Sequence, residues 1–162
     1  MSGALCDNLP MLREKLEKGG IQASAPRLAI AHYIFSTEDH PTAEIVKTKV
    51  EKYFPTVSLA TVYNTLNLFV EKGLLKTFRD QGSDQLRYDP LLEPHFHFVD
   101  EDSGKIIDLS TEALHISQNP QLLQDQFLVS SVEVVVKGKL RKDASPKGVK
   151  ETQTKKTSKK GR

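Results

Sequence analysis

The chain has 162 residues, 38% of them apolar, which excludes a disordered polymer and fits one domain or two small ones. Its one cysteine, Cys6, excludes a disulfide framework and any zinc site built from several thiolates of one chain. The start, MSGALCDNLPMLREK, has no apolar stretch ahead of its charges, and no later run approaches the roughly 20 residues of a spanning helix, so a soluble cytoplasmic protein with no membrane partner is expected.

The net charge of +2 is unevenly spread. Residues 1–88 hold 11 basic against 10 acidic groups, residues 89–140 hold 3 against 9, and residues 141–162 hold 9 against 2. The second half is therefore acidic. The end, RKDASPKGVKETQTKKTSKKGR, has too few apolar groups to offset the entropy of ordering, so 143–162 is expected to be a disordered basic tail.

In chain order, LREKLEKGG reads as a short helix closed by glycine. SAPRLAIAHYIFSTEDH places Pro26 near a helix start, with Leu28, Ala31, Ile34 and Phe35 on one face. Thr42 can cap TAEIVKTKVEKYF, whose Ile45, Val46, Lys49 and Val50 recur at helical spacing. Ser58 can cap LATVYNTLNLFVEKG, with Leu59, Val62, Leu66 and Val70 as its buried stripe and Gly73 just past its end. LLKTFR and QLRYD then flank the turn DQGSD as a hairpin. Helices followed by a capped helix and a hairpin give the order of a winged helix-turn-helix, expected over 1–87.

The capped helix leaves Ser58, Thr61, Tyr63, Asn64 and Asn67 around its apolar stripe, short polar groups and an aromatic able to reach bases or phosphates of double-stranded DNA. Arg27, Lys47, Lys49, Lys72, Lys76 and Arg79 can add phosphate contacts. Because 1–88 is almost neutral, one copy should bind DNA weakly, and a homodimer on a palindromic operator is expected.

The stretch HFHFVDEDSGKIIDL places His95 and His97 on one face of a strand and Phe96 and Phe98 on the other, into a core. A turn at Asp100 to Ser103 would set His95 opposite Asp108. With Asp89 at the end of the hairpin and His40 in a loop of the first domain, three imidazoles and two carboxylates form a sulfur-free set suited to Fe(II), Mn(II) or Zn(II). His32 and His115 lack such company and read as surface or core histidines.

Through SAPRLAI, HPTAEIV, VSLATVYNTLNLFVEKGLL, RYD, HFH and GKIID, the sequence resembles the ferric uptake regulator family over about residues 10–140, most closely its peroxide-sensing branch. The resemblance implies an α+β chain: a winged helix-turn-helix DNA-binding domain (1–87), a hinge (88–94) and an α/β dimerisation and metal-sensing domain (95–142). The family's regulatory metal site falls on His40, Asp89, His95, His97 and Asp108, and the choice of His40 leans most on the resemblance. Aspartates at positions 89 and 108 point to the peroxide-sensing branch, in which bound iron leads to oxidation of His40 or His95. Members that hold their dimerisation domain with a cysteine-bound zinc carry two CxxC pairs. Here those positions fall on Asp100, Ser103, Leu140 and Asp143, so no such zinc is expected and stability should pass to packing of Val132, Val134, Val136, Phe96, Phe98, Ile106 and Leu109.

The expected function is a metal-dependent repressor sensing hydrogen peroxide through Fe(II), with Mn(II) as the inert alternative and Zn(II) a possible guest in preparations. The rivals are a repressor reporting iron, manganese or zinc for uptake, a non-heme iron oxygenase, and a DNA-binding domain with an inert acidic hairpin.

Overall fold

A computed structural model describes residues 3–79, 84–117, 127–129 and 132–141. The chain forms two compact units, the first ending at Glu93 and the second beginning at Pro94.

The first unit comprises α1 (Gly3–Lys18), α2 (Ala25–Ile34), α3 (Ala43–Val50), α4 (Leu59–Glu71), β1 (Lys76–Arg79) and β2 (Leu86–Asp89). The first helix begins earlier than its Leu12–Gly20 motif suggests and passes through Pro10, while Gly20, at φ 70°, takes the left-handed conformation that ends it. Thr42 caps α3 by accepting from the Ile45 N–H at 3.4 Å, and Ser58 caps α4 by accepting from the Thr61 N–H at 3.0 Å. Gly73, at φ 68°, closes α4.

The buried faces differ from the predicted stripes. In α2 the buried residues are Ile30, Ala31 and Ile34, with Leu28 and Phe35 only partly covered. In α3 Ala43, Val46 and Val50 are buried, while Ile45 and Lys49 are exposed. In α4 Val62, Thr65, Leu66 and Phe69 are buried, whereas Leu59 is exposed and Val70 partly covered. The reason is geometric: positions 62, 65, 66 and 69 follow i, i+3, i+4, i+7, and Thr65 joins them because its methyl suits a core as well as its hydroxyl suits a surface. Leu12, Leu16, Ile21 and the fully buried Tyr88 complete this core.

Strands β1 and β2 pair antiparallel, Lys76 opposite Asp89 and Arg79 opposite Leu86. Most of the expected turn, 80–83, lies outside the described residues.

The second unit holds a three-stranded sheet of β3 (Phe96–Asp100), β4 (Ile106–Leu109) and β5 (Val135–Gly138), in the order β4-β3-β5. The β4 strand runs antiparallel to β3 and β5 parallel to it. The turn occupies Glu101 to Gly104, one residue later than expected, because Gly104 at φ 69° takes the position that needs a left-handed backbone. His97, not His95, therefore stands opposite Asp108. A shift of two in register keeps each side chain on its face, so Asp108 remains beside the histidines.

Packing of this unit departs further from expectation. Ile106 is the one buried apolar side chain among its described residues; Phe96, Phe98, Leu109, Val134 and Val136 are partly covered, and Val132 is exposed. Phe127, Leu128 and Val129 are exposed as well. The predicted basic tail at 143–162, together with Asp143, lies outside the described residues.

Candidate metal centre

In the second unit β3 carries His97, the residue just before β3 is His95, and β4 carries Asp108. The two Nε2 atoms stand 3.0 Å apart, and Asp108 Oδ1 lies 3.6 Å from His95 Nε2 and 3.8 Å from His97 Nε2. The imidazole rings meet edge to face at 4.7 Å between centroids. A triangle of donors this size has a point about 2 Å from all three corners, the length of a metal–nitrogen or metal–oxygen bond. Two imidazoles and one carboxylate without sulfur suit Fe(II), Mn(II) or Zn(II), so the residues present fit such an ion.

The first unit carries its own pair. His40 Nε2 lies 3.9 Å from Asp89 Oδ1, and both side chains are buried. The segment bearing His40 is fastened to the hairpin: the Arg87 guanidinium donates to the His40 carbonyl at 2.9 Å, and the Tyr88 N–H donates to the Pro41 carbonyl at 3.1 Å. The His40 ring stands edge-on to Phe78 at 5.4 Å. Asp89 Oδ1 also accepts from the Leu91 N–H at 2.7 Å, which orients the carboxylate. Sequence reasoning missed Arg87 and Tyr88, although both sit in the RYD motif whose aspartate it singled out.

The residues expected to face DNA lie as follows. Arg27, Thr61 and Asn64 line one cleft of about 320 Å³ together with Gln22, Ser24, Pro26 and Thr65. Arg27 donates to the Gln22 carbonyl at 3.1 Å, and the Ser58 and Thr61 hydroxyls are hydrogen-bonded to each other at 2.8 Å. The Tyr63 phenol donates to Glu44 Oε1 at 2.6 Å, a partner absent from the sequence-based set. Several expected phosphate contacts have intramolecular partners: Lys47 pairs with Glu51, Lys76 donates to the Leu92 carbonyl, and Arg79 approaches Asp84 at 3.5 Å.

Where the resemblance places the cysteines of a structural zinc, a carboxylate network stands instead. Asp100 accepts from both the N–H and the hydroxyl of Ser103 and, through its other oxygen, from the Leu140 N–H at 3.1 Å. Lys139 pairs with Asp102 at 2.6 Å alongside it. The expectation that apolar packing alone replaces the zinc is thus corrected: three of the four positions are joined by hydrogen bonds that tie the β3–β4 turn to the end of β5. The Ser103 hydroxyl, followed by the Leu140 N–H, holds the Asp100 carboxyl below its usual range. A depressed folded-state value means stability fully present above the unfolded carboxylate range and lost as pH falls through the folded one. Asp100→Ala is therefore expected to melt several degrees lower than wild type at pH 7, the gap closing under acid, by circular dichroism. Parallel acid profiles would contradict this.

A winged-helix unit followed by a sheet unit that gathers histidines and a carboxylate defines the class of metal-dependent transcriptional regulators. The model of the ferric uptake regulator family matches residues 18–137, and the chain belongs to that family, whose members are regulators rather than enzymes. The oxygenase alternative falls with that membership. In sequence the chain is similar to the peroxide operon regulator of Bacillus subtilis (strain 168), 39% identical over 97 residues, which are 59% of this chain and 65% of that protein. The match thus spans just under two thirds of that relative's length. In structure it is similar to the Campylobacter jejuni peroxide stress regulator, at 28% identity and a TM-score of 0.57 over 84% of this chain and 98% of that one. It shares the fold of the Vibrio cholerae ferric uptake regulator, at 22% identity and a TM-score of 0.63 over 79% and 98% of the two chains.

Proposed function

We propose that the protein is a cytoplasmic, homodimeric repressor that binds a palindromic double-stranded operator when metal-loaded and releases it on exposure to hydrogen peroxide. The observation that carries this reading is the His95, His97 and Asp108 triangle, whose spacing matches a bound divalent ion. Residues 1–87 contact DNA, 88–94 form the hinge, 95–142 pair the protomers and sense the metal, and 143–162 are a basic tail. The exposed Phe127, Leu128, Val129 and Val132 suit burial against a second copy.

In this reading His40 and Asp89 complete the ligand set with His95, His97 and Asp108. His40 belongs to the DNA-binding unit, Asp89 to the hinge and the last three to the sensing unit, so occupancy would fix the angle between units and the spacing of the two α4 helices on DNA. Arg87 and Tyr88 hold the His40 segment against β2, so a pull on His40 or Asp89 moves the hairpin as one piece. Fe(II) held by these residues would promote cleavage of the O–O bond of hydrogen peroxide, with one oxygen ending on a ring carbon of His40 or His95 and the other leaving as water. Aspartates at both carboxylate positions, and the likeness to a Bacillus regulator named for peroxide, support this over a repressor that reports metal for uptake.

The test is fluorescence anisotropy on a duplex carrying the site the protein selects from a random pool. Affinity should rise about 100-fold on adding Mn(II) to the chelated protein, a coupling within the usual range for allosteric sites. Equal affinity with and without metal would reduce the protein to a DNA-binding domain with an inert acidic hairpin.

A further inference from the structure

Glu44 sits in the first turn of α3 and Tyr63 in the second turn of α4. They are 19 residues apart in sequence, and the phenol donates to the Glu44 carboxylate at 2.6 Å. Both residues are exposed. The carboxylate is well placed to persist as an anion. It stands at a helix N-terminus, where the backbone dipole favours negative charge, and the Tyr63 hydroxyl holds its carboxyl below the usual range. The same contact pushes the phenol up.

A phenol has one O–H to donate, and here the Glu44 carboxylate accepts it. Tyr63 is left with an aromatic ring and an oxygen that can only accept. Phosphate oxygens also only accept, so this pair cannot bond a phosphate, and the charge of Glu44 repels one. What the pair can meet is a base edge. The exocyclic amines of cytosine and adenine donate to a carboxylate, and a thymine methyl packs against an aromatic ring.

We propose that Glu44 is a specificity-determining residue of the DNA interface: it turns Tyr63 into a reader of base edges and makes the start of α4 reject phosphates in non-operator registers. This rests on the reading of the protein as a DNA-binding repressor in which α4 meets the bases. Glu44 raises discrimination by weakening binding to the wrong DNA, a repulsive element where an attractive one would add affinity for every sequence.

The test uses the full Mn(II)-loaded chain and two duplexes of equal length and composition, one carrying the site that wild type selects from a random pool and the other shuffled. Glu44→Gln should bind the shuffled duplex about tenfold tighter and the selected one no tighter than wild type, a loss of discrimination in the range of one base contact. The salt dependence of non-specific binding should steepen by about one phosphate equivalent. Thermal melting of Glu44→Gln separates this role from a mere brace between α3 and α4. An unchanged ratio of affinities in Glu44→Gln overturns the proposal, as does an equal loss on both duplexes with a falling melting temperature. Wild type that binds the shuffled duplex as tightly as the selected one overturns the DNA reading itself, and the role of Glu44 with it.

Discussion

Replacing His97 with alanine should abolish the metal response of DNA binding. The His97 imidazole is one corner of the donor triangle, 3.0 Å from His95 Nε2 and 3.8 Å from Asp108 Oδ1. Removing it leaves one imidazole and one carboxylate in the second unit, a set that binds a divalent ion far more weakly. Metal-free affinity should stay at the wild-type level, because His97 lies in the second unit, outside the proposed DNA-binding unit. The roughly 100-fold gain on Mn(II), about 2.7 kcal/mol of coupling, should vanish. Asp108→Asn should weaken metal binding while keeping the shape of the site, and so shift the Mn(II) midpoint upward instead of removing the response. Anisotropy titrations of metal into protein at fixed operator separate these cases. A His97→Ala protein that responds to Mn(II) as wild type does would remove the triangle from the account.

Hydrogen peroxide should release the iron-loaded protein from its operator and leave the manganese-loaded protein bound. Once an imidazole is oxidised, its nitrogen is lost as a ligand and the remaining donors hold the ion less tightly. One equivalent of peroxide should therefore bring the affinity of the Fe(II) form down about 100-fold, to that of the chelated protein. Manganese(II) is much harder to oxidise by this route, so the Mn(II) form should hold its affinity through the same treatment. Adding Mn(II) to the oxidised protein should fail to restore binding, since the damage is covalent. An Fe(II) form that keeps its affinity would favour a repressor reporting metal concentration.

Much of the first unit was legible because its signals are local. A threonine or serine before an apolar run is read from four residues, and both caps are present as hydrogen bonds at Thr42 and Ser58. The buried faces were harder. The α4 stripe turned about the axis by one position because Thr65 counts as polar in a pattern yet packs as apolar in a core. Of the α3 residues at helical spacing, Val46 and Val50 are buried together with Ala43, while Ile45 and Lys49 face out.

In the second unit the histidine face survived an error in register. A turn at Asp100 to Ser103 lies one residue early, which displaces the pairing by two and leaves Asp108 on the correct side. The Asp100 network was not legible, because a missing cysteine says only what is lost. That its carboxylate reaches the Leu140 N–H, 40 residues away, follows from the parallel pairing of β3 with β5, which brings the end of β5 beside Asp100. Glu44 was invisible for a similar reason: a lone acid in a first turn reads as a dipole partner until Tyr63 is seen against it.

Peptide mass spectrometry tests most directly whether iron held by the proposed ligand set directs peroxide onto one of its own histidines. Anaerobically purified protein is loaded with Fe(II) or Mn(II), given one equivalent of hydrogen peroxide, digested and sequenced. The account predicts one added oxygen on the peptide carrying His40 or on the peptide carrying His95, with iron only. Iron shown to be bound, with neither histidine modified, would contradict it.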